Sequence, residues 1–259
     1  MRIMKIQFCS DLHLEMRKDY QLPTTDAHVI VLAGDIHVGI KAIEFAISEA
    51  QRQNKPVLFI AGNHEFYNHD YSEVLDKFRA VADSCALVHF LENNEVVIDG
   101  VRFLGCTMWT DYKGSGHEHQ QFTMAYIGNA LNDHRVIRNT YRAFSPADAL
   151  AIHKESRAWL QMKLAEPFTE KTVVITHHGP SILTQHKRYE YSAISSAFLS
   201  NLDELVEQAD LWIYGHSHSN IDEMLGKCRV VSNQMGYPSE GMNGDHFLSD
   251  YQSNWVIEL

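Results

Sequence analysis

Eight side chains in this sequence have types and spacings that suit one kind of chemistry. They are Asp11 and His13, Asp35, Asn63 and His64, His177, and His216 with His218. Carboxylates and imidazoles together suit manganese, iron, zinc or cobalt, whereas thiolate sites would need clustered cysteines. A carboxylate can bridge two cations, which accounts for a single Asp35 among several histidines. Two ions about 3.5–4 Å apart acidify a shared water, orient a phosphate and neutralise charge in an in-line displacement. Asn63 is a poor ligand for most metals, so its place beside His64 points to hard-metal chemistry with a proton donor next to it. Alone, Gly62-Asn63-His64 reads equally as an ordinary turn.

What unites these residues is where the chain delivers them. Apolar runs over 3–9, 27–33, 57–61, 171–176 and 209–214 each read as a strand, and each ends at one member of the set. The run 27–33 is apolar on both faces, as in the middle of a covered sheet. Asp11 and His13, two apart on an extended segment, are expected to point the same way. Apolar positions at helical spacing predict helices over 40–53 and 70–83. Ser145-Pro146-Ala147-Asp148 predicts the start of a third, running to about Leu164. Strand and helix therefore alternate, and polar residues collect at the C-terminal strand ends, where ligands bind in layered α/β folds. Short strands over 86–91, 95–98 and 101–106, with Asp99-Gly100 as a hairpin turn, extend the same sheet system into a mixed sheet. Strands over 229–232 and 255–258 close the chain.

The sequence has 259 residues, 45% of them apolar and 21% charged, with no Pro/Gly/Ser-rich linker, so residues 1–259 are expected to form one domain. The least regular stretch, about 107–145, is expected to be a flap-like insertion; Arg135, Arg138 and Arg142 make it locally basic. It reads either as a solvated loop or as a carrier of substrate contacts. A formal net charge of −11 argues against a protein that coats duplex nucleic acid, yet leaves a phosphate substrate open. Cys9, Cys85, Cys106 and Cys228 are scattered without metal-type spacing, as expected of thiols in a reducing cytoplasm. No apolar run reaches membrane-spanning length, and the opening residues read as a first strand and not as a signal peptide.

Asp-x-His, Gly-Asp, Gly-Asn-His-Glu, His and Gly-His-x-His, as they stand between Asp11 and His218, resemble the motifs of the calcineurin-like metallophosphoesterase superfamily. The resemblance implies an α/β fold of two packed mixed β-sheets flanked by helices, a four-layer αββα sandwich. It implies that one ion takes Asp11, His13, Asp35 and His218, and the other Asp35, Asn63, His177 and His216, with Asp35 bridging and catalytic. His64 would stay off the metal and donate a proton to the leaving oxygen, while a metal-bridging hydroxide attacks. Protein serine/threonine phosphatases of this superfamily carry Gly-Asp-x-x-Asp-Arg and Arg-Gly-Asn-His-Glu. Here the corresponding residues are Gly34-Asp35-Ile36-His37-Val38-Gly39 and Ala61, so both phosphate-holding arginines are missing.

These readings converge on a phosphoester hydrolase with two divalent ions, manganese ahead of iron, zinc or cobalt, acting on a small-molecule or nucleotide-like diester. A phosphomonoesterase, a nuclease and a non-catalytic scaffold of the same fold are the alternatives. Arg135 and His178 are expected to replace the missing arginines as substrate contacts. His28, His69, His89, His153, His186 and His246 are expected to be structural or exposed. His37, His117 and His119 stay open.

Overall fold

The computed structural model describes residues 3–114, 116–241 and 250–259. His246 and the side chain of His117 lie outside the described residues.

The first half builds a parallel sheet. Strands β1 (Lys5–Cys9) and β2 (Val29–Ala33) lead to helix α1 (Lys41–Gln53), then β3 (Val57–Ile60), helix α2 (Tyr71–Ala82) and β4 (Val88–Phe90). β1 to β4 pair in parallel in that order. The chain then crosses to a second sheet through β5 (Asn94–Ile98) and β6 (Val101–Cys106), an antiparallel hairpin turning at Asp99-Gly100. Both turn residues have positive φ, +49° and +84°, as a two-residue hairpin of this twist needs.

Residues 107–145 are more regular than expected. They contain helix α3 (Gln120–Ala130), the short helix α4 (Asp133–Val136), and a small hairpin of β7 (Arg138–Asn139) and β8 (Arg142–Ala143). Helix α5 (Pro146–Ala165) follows, started by a reciprocal cap between Ser145 and Asp148. Then come β9 (Thr172–Thr176), α6 (Asp203–Val206), β10 (Leu211–Tyr214), β11 (Asp222–Leu225), β12 (Cys228–Ser232) and β13 (Val256–Glu258).

The spatial orders are β13-β1-β2-β3-β4 and β11-β12-β10-β9-β6-β5. Each is mixed: β13 and β11 are antiparallel edge strands, and β5 is antiparallel to β6. The β5–β6 hairpin thus belongs to the second sheet and does not extend the first, which corrects the expected single sheet system. Ile6, Phe8, Val29, Val31 and Leu58 from one sheet meet Phe103, Val173, Ile175 and Ile213 from the other in an apolar layer between them. The opposite faces pack on helices. Ile30, Leu32 and Phe59 sit against Ile43, Ala46 and Phe78, while Val174, Trp212 and Val230 sit against Leu160 and Leu205. This is why the central strands are apolar on both faces. Full burial of each such side chain contributes about 1.5–3 kcal/mol. The result is a four-layer αββα sandwich. Among the described residues, no helix is long and apolar enough to cross a membrane.

Candidate metal centre

Two parallel sheet cores facing each other place the C-terminal ends of β1, β2, β3, β9 and β10 along one edge. The side chains delivered there converge, but not by extended backbone. Asp11, His13, Asp35, His216 and His218 all have positive φ, between +44° and +74°. The expectation that Asp11 and His13 align along an extended segment is therefore corrected: each strand ends, and left-handed turns swing the donors inward. Non-glycine residues in this region are uncommon, and strain of order 1–3 kcal/mol each is tolerated mainly where function demands it.

Asp11 is fully buried; its carboxylate accepts from Ser10 Oγ at 2.5 Å and from the His216 backbone N–H at 3.0 and 3.1 Å. His218 Nε2 lies 3.3 Å from Asp11 Oδ1 and 3.1 Å from His13 Nε2. Asp35 stands between two groups, with Oδ2 3.9 Å from His13 Nε2 and Oδ1 3.4 Å from His177 Nε2. His177 Nε2 is also 3.1 Å from Asn63 Oδ1. Three groups, Asp11/His13/His218, Asp35/His177/His216 and His13/Glu15/His64, each offer ligand atoms within 4.8 Å of one another.

The outer ring nitrogens explain why the inner ones are donors. His177 Nδ1 donates to the Ala33 carbonyl at 2.9 Å, His218 Nδ1 faces Glu240 at 2.9 Å, and His13 Nδ1 faces Glu15 at 3.2 Å. Each partner fixes the ring and leaves Nε2 aimed inward, the arrangement that orients metal-ligating histidines. His216 Nε2 is buried with no hydrogen-bond partner among the described residues. Such an atom is costly unless something binds it. Imidazole nitrogens pointed at one another around two buried carboxylates, with an orphaned nitrogen beside them, fit a pair of divalent cations.

The electrostatics agree. Burial works against the charged forms of His218 and His177, yet Asp11 and Glu240 raise the first to about 10 and Asp35 raises the second to about 9. Protons are thus drawn to positions where a cation would displace them. Against its own burial, Asp35 is held well below the usual carboxylate range by His177 and His64. His216 is driven well below the usual imidazole range by burial and by its histidine neighbours, so it stays neutral.

His64 sits at the margin of the cluster. Its backbone N–H donates to Asp35 Oδ1 at 2.8 Å, its Nδ1 faces Glu15 Oε1 at 3.1 Å, and its Nε2 lies 2.9 Å from the Tyr237 hydroxyl. The ring stacks on Tyr67 with centroids 4.1 Å apart. Burial lowers its pKa, but Asp35 and Glu15 outweigh that and raise it overall. Glu65 ties the supporting loops together by accepting from the backbone N–H groups of Asp35, Ile36 and Gly62 at 2.7–3.0 Å. Gly62 has no room for a side chain: a Cβ there would lie 2.7 Å from the Asp35 backbone nitrogen and would clash with Asp35 Oδ1.

A cleft of about 570 Å³ opens beside the cluster, lined in part by Asp133, His186, Arg188, Tyr189, Tyr237 and Glu240. All eight strand-end residues come together, but the two expected substrate contacts do not face this cleft. The Arg135 guanidinium donates to the Asn129 carbonyl on the exposed surface. His178 is buried, with its Nδ1 donating to the Thr107 carbonyl at 3.2 Å and its ring 4.3 Å from that of His216. Burial and the neighbouring His177 push it down to about 3, so it braces a site histidine as a neutral ring. His186, expected to be structural or exposed, lines the cleft instead. His28 accepts from the Lys5 backbone and buried His153 faces the Trp109 carbonyl, both as structural histidines. His37 faces the Val38 carbonyl, and His119 is exposed near Glu118.

Sequence reasoning passed over Glu15, Asp133, Arg188, Tyr237 and Glu240. Glu15 carried a usable signal, standing two residues after His13. The others lie in loops whose path is set by packing, with no local pattern to mark them.

The layered fold and the converging donors together define a metal-dependent phosphoesterase. The chain belongs to the calcineurin-like phosphoesterase family, whose sequence pattern matches residues 4–220. An uncharacterized protein of Acanthamoeba polyphaga mimivirus is 26% identical over 273 residues, covering 94% of this chain and 94% of that protein. Among solved structures, phosphopantetheinyl hydrolase from Mycobacterium tuberculosis superposes with a TM-score of 0.75 at 16% identity, covering 98% of this chain and 95% of that one. A dimetal phosphatase from Danio rerio superposes with a TM-score of 0.51 at 14% identity, covering 90% of this chain and 87% of that one. At these identities the solved structures are alike in fold.

Proposed function

We propose that this chain is a di-metal phosphodiesterase acting on a small or nucleotide-like phosphoester, with His64 as its general acid. The observation that carries the reading is the position of His64, beside the donor cluster but held at Nδ1 by Glu15. That leaves Nε2, now against the Tyr237 hydroxyl, as the ring atom from which a leaving oxygen would take its proton.

Asp11, His13, Asp35 and His218 would hold one ion, and Asp35, Asn63, His177 and His216 the other. Manganese is our first choice among manganese, iron, zinc and cobalt, all of which accept the oxygen and imidazole-nitrogen donors present here. When bound, the ions supply Lewis-acid charge to the phosphoryl group and to an attacking water. Glu15, Glu240 and the Ala33 carbonyl hold the rings in place while Tyr67 and Tyr237 confine His64.

The diester preference rests on the two missing phosphate-holding arginines and on His64 as a leaving-group acid. Among the described residues, Arg188 is the one Lys or Arg lining the cleft, where Asp133 and Glu240 are also present. The name of the Mycobacterium tuberculosis relative, a phosphopantetheinyl hydrolase, supports including a phosphopantetheinyl ester among the candidate substrates. We take residues 1–259 as one unit, since β13 returns to pair with β1, and the four free cysteines fit a reducing cytoplasm.

The test is turnover by the manganese-loaded protein of bis(p-nitrophenyl) phosphate, p-nitrophenyl phosphate and a phosphopantetheinyl ester. Faster turnover of a diester is expected. Robust monoester turnover with none on the bis-ester would contradict the diester assignment.

A further inference from the structure

Asn63 is the weakest ligand type in the cluster, and its amide is nearly symmetric in shape. Only its hydrogen-bond partners decide whether oxygen or nitrogen faces inward. Here Nδ2 donates to Asp133 Oδ1 at 2.9 Å and reaches the Tyr67 hydroxyl at 3.3 Å, while Tyr67 itself donates to the same Asp133 oxygen at 2.7 Å. Asp133 Oδ1 accepts from both groups, so it selects the orientation that turns Asn63 Oδ1 toward His177. The opposite orientation would present N–H groups to a cation.

Asp133 is buried and opens α4, in the stretch inserted between β6 and α5. That stretch is fastened to the loop leaving Asn63. The Asn68 N–H donates to the Val136 carbonyl at 3.0 Å, and the Arg138 N–H to the His69 carbonyl at 2.9 Å. The Thr140 N–H donates to the Asp70 side chain. Asp133 is therefore set at a fixed distance from Asn63 by backbone contacts that do not involve the site.

We infer that Asp133 is a positioning residue for the second ion's site, and that the inserted stretch exists in part to supply it. The inference rests on the proposed role of Asn63 as a ligand. Asp133 would not touch the ion, although it lines the cleft; it would act by locking the Asn63 amide and by tightening the Tyr67 hydroxyl against it.

The test is titration of the metal-free full-length protein with Mn²⁺ alone, read by calorimetry or electron paramagnetic resonance, with circular dichroism to confirm folding. Asn63→Ala should weaken one of two sites. Asp133→Ala should weaken that same site by roughly 10–100-fold, the range seen for outer-shell partners of metal ligands. Asp133→Asn, whose oxygen can still accept from Nδ2, should recover most of the loss, and Tyr67→Phe should give a milder version. The Asn63→Ala/Asp133→Ala double variant should be no weaker than Asn63→Ala, because both act through one amide. Wild-type binding in Asp133→Ala beside a weakened site in Asn63→Ala would overturn this inference alone. Two full-strength sites in Asn63→Ala would overturn the ligand assignment and the inference with it. If Asp133→Ala fails to fold, Tyr67→Phe decides: unchanged binding overturns the inference, and selective loss at the Asn63 site upholds it.

Discussion

Glu15 holds His64 through a single oxygen: Oε1 lies 3.1 Å from His64 Nδ1, and the same atom is 3.2 Å from His13 Nδ1. One carboxylate thereby braces a candidate metal ligand and the candidate proton donor. Against its own burial, the two histidines lower its pKa to about 2, so it is ionised at neutral pH. Glu15→Gln keeps the shape and removes the charge that helps raise His64. A general acid must be protonated to work, so the alkaline limb of the rate profile should move to lower pH in this variant. A profile with an unmoved alkaline limb would remove Glu15 from the mechanism.

The adjacent pair Asn63-His64 should separate in its effects. His64→Ala should keep its metal content and lose roughly 10²–10⁴-fold in turnover, as expected for a general acid. Asn63→Ala should lose affinity for metal. Equal metal loss in both variants would show that the two residues do not divide the work.

Gly62 contributes no donor, yet it should be as sensitive as a ligand. A Cβ at this position would press on Asp35 and come within 2.6 Å of His177 Cε1. Gly62→Ala is expected to lower metal content while the sheets stay folded by circular dichroism; unchanged metal content would mean that the loop has room to move.

The cleft places Arg188, and not Arg135, beside the centre. Arg188→Ala should raise KM several-fold with metal content intact, and Arg135→Ala should leave kinetics unchanged. The reverse outcome would mean that substrate approaches over α4 and not across the cleft.

These contrasts show what the sequence can and cannot disclose. The apolar runs 27–33 and 57–61 and the donors that follow them were legible because burial on both faces and abrupt polar ends are local patterns. The pairing of the β5–β6 hairpin with β9 through β6 was not, since it depends on which of two sheets captures a hairpin. The left-handed backbone at His13 and His218 left too weak a signal to read, because histidine is enriched in that region yet most histidines lie outside it. Asp133 looked like one more charge in a polar stretch; it becomes part of the site only because α4 is fastened to the loop after Asn63.

A further prediction concerns stability away from the site. Ser145 and Asp148 cap α5 reciprocally, and Arg142 pairs with Asp148 at 2.7 Å. Against the cost of burial, Arg142 and Ser145 hold the Asp148 carboxyl well below the usual range. With the folded pKa depressed, this contribution is present above about pH 4 and is lost as pH falls through the unfolded and then the folded value. Ser145→Ala should cost about 0.5–2 kcal/mol at neutral pH. Asp148→Asn should flatten the acid side of the stability curve in urea titrations; an unchanged acid slope would show that other carboxylates set it.

The central claim is that the strand-end donors hold two ions that are used in catalysis. The most direct measurement follows manganese bound per chain and bis(p-nitrophenyl) phosphate turnover in the same titration of metal-free protein. Two ions per chain are predicted, with activity rising as the second site fills. Well under one ion per chain, with no turnover at saturating manganese, would contradict the claim.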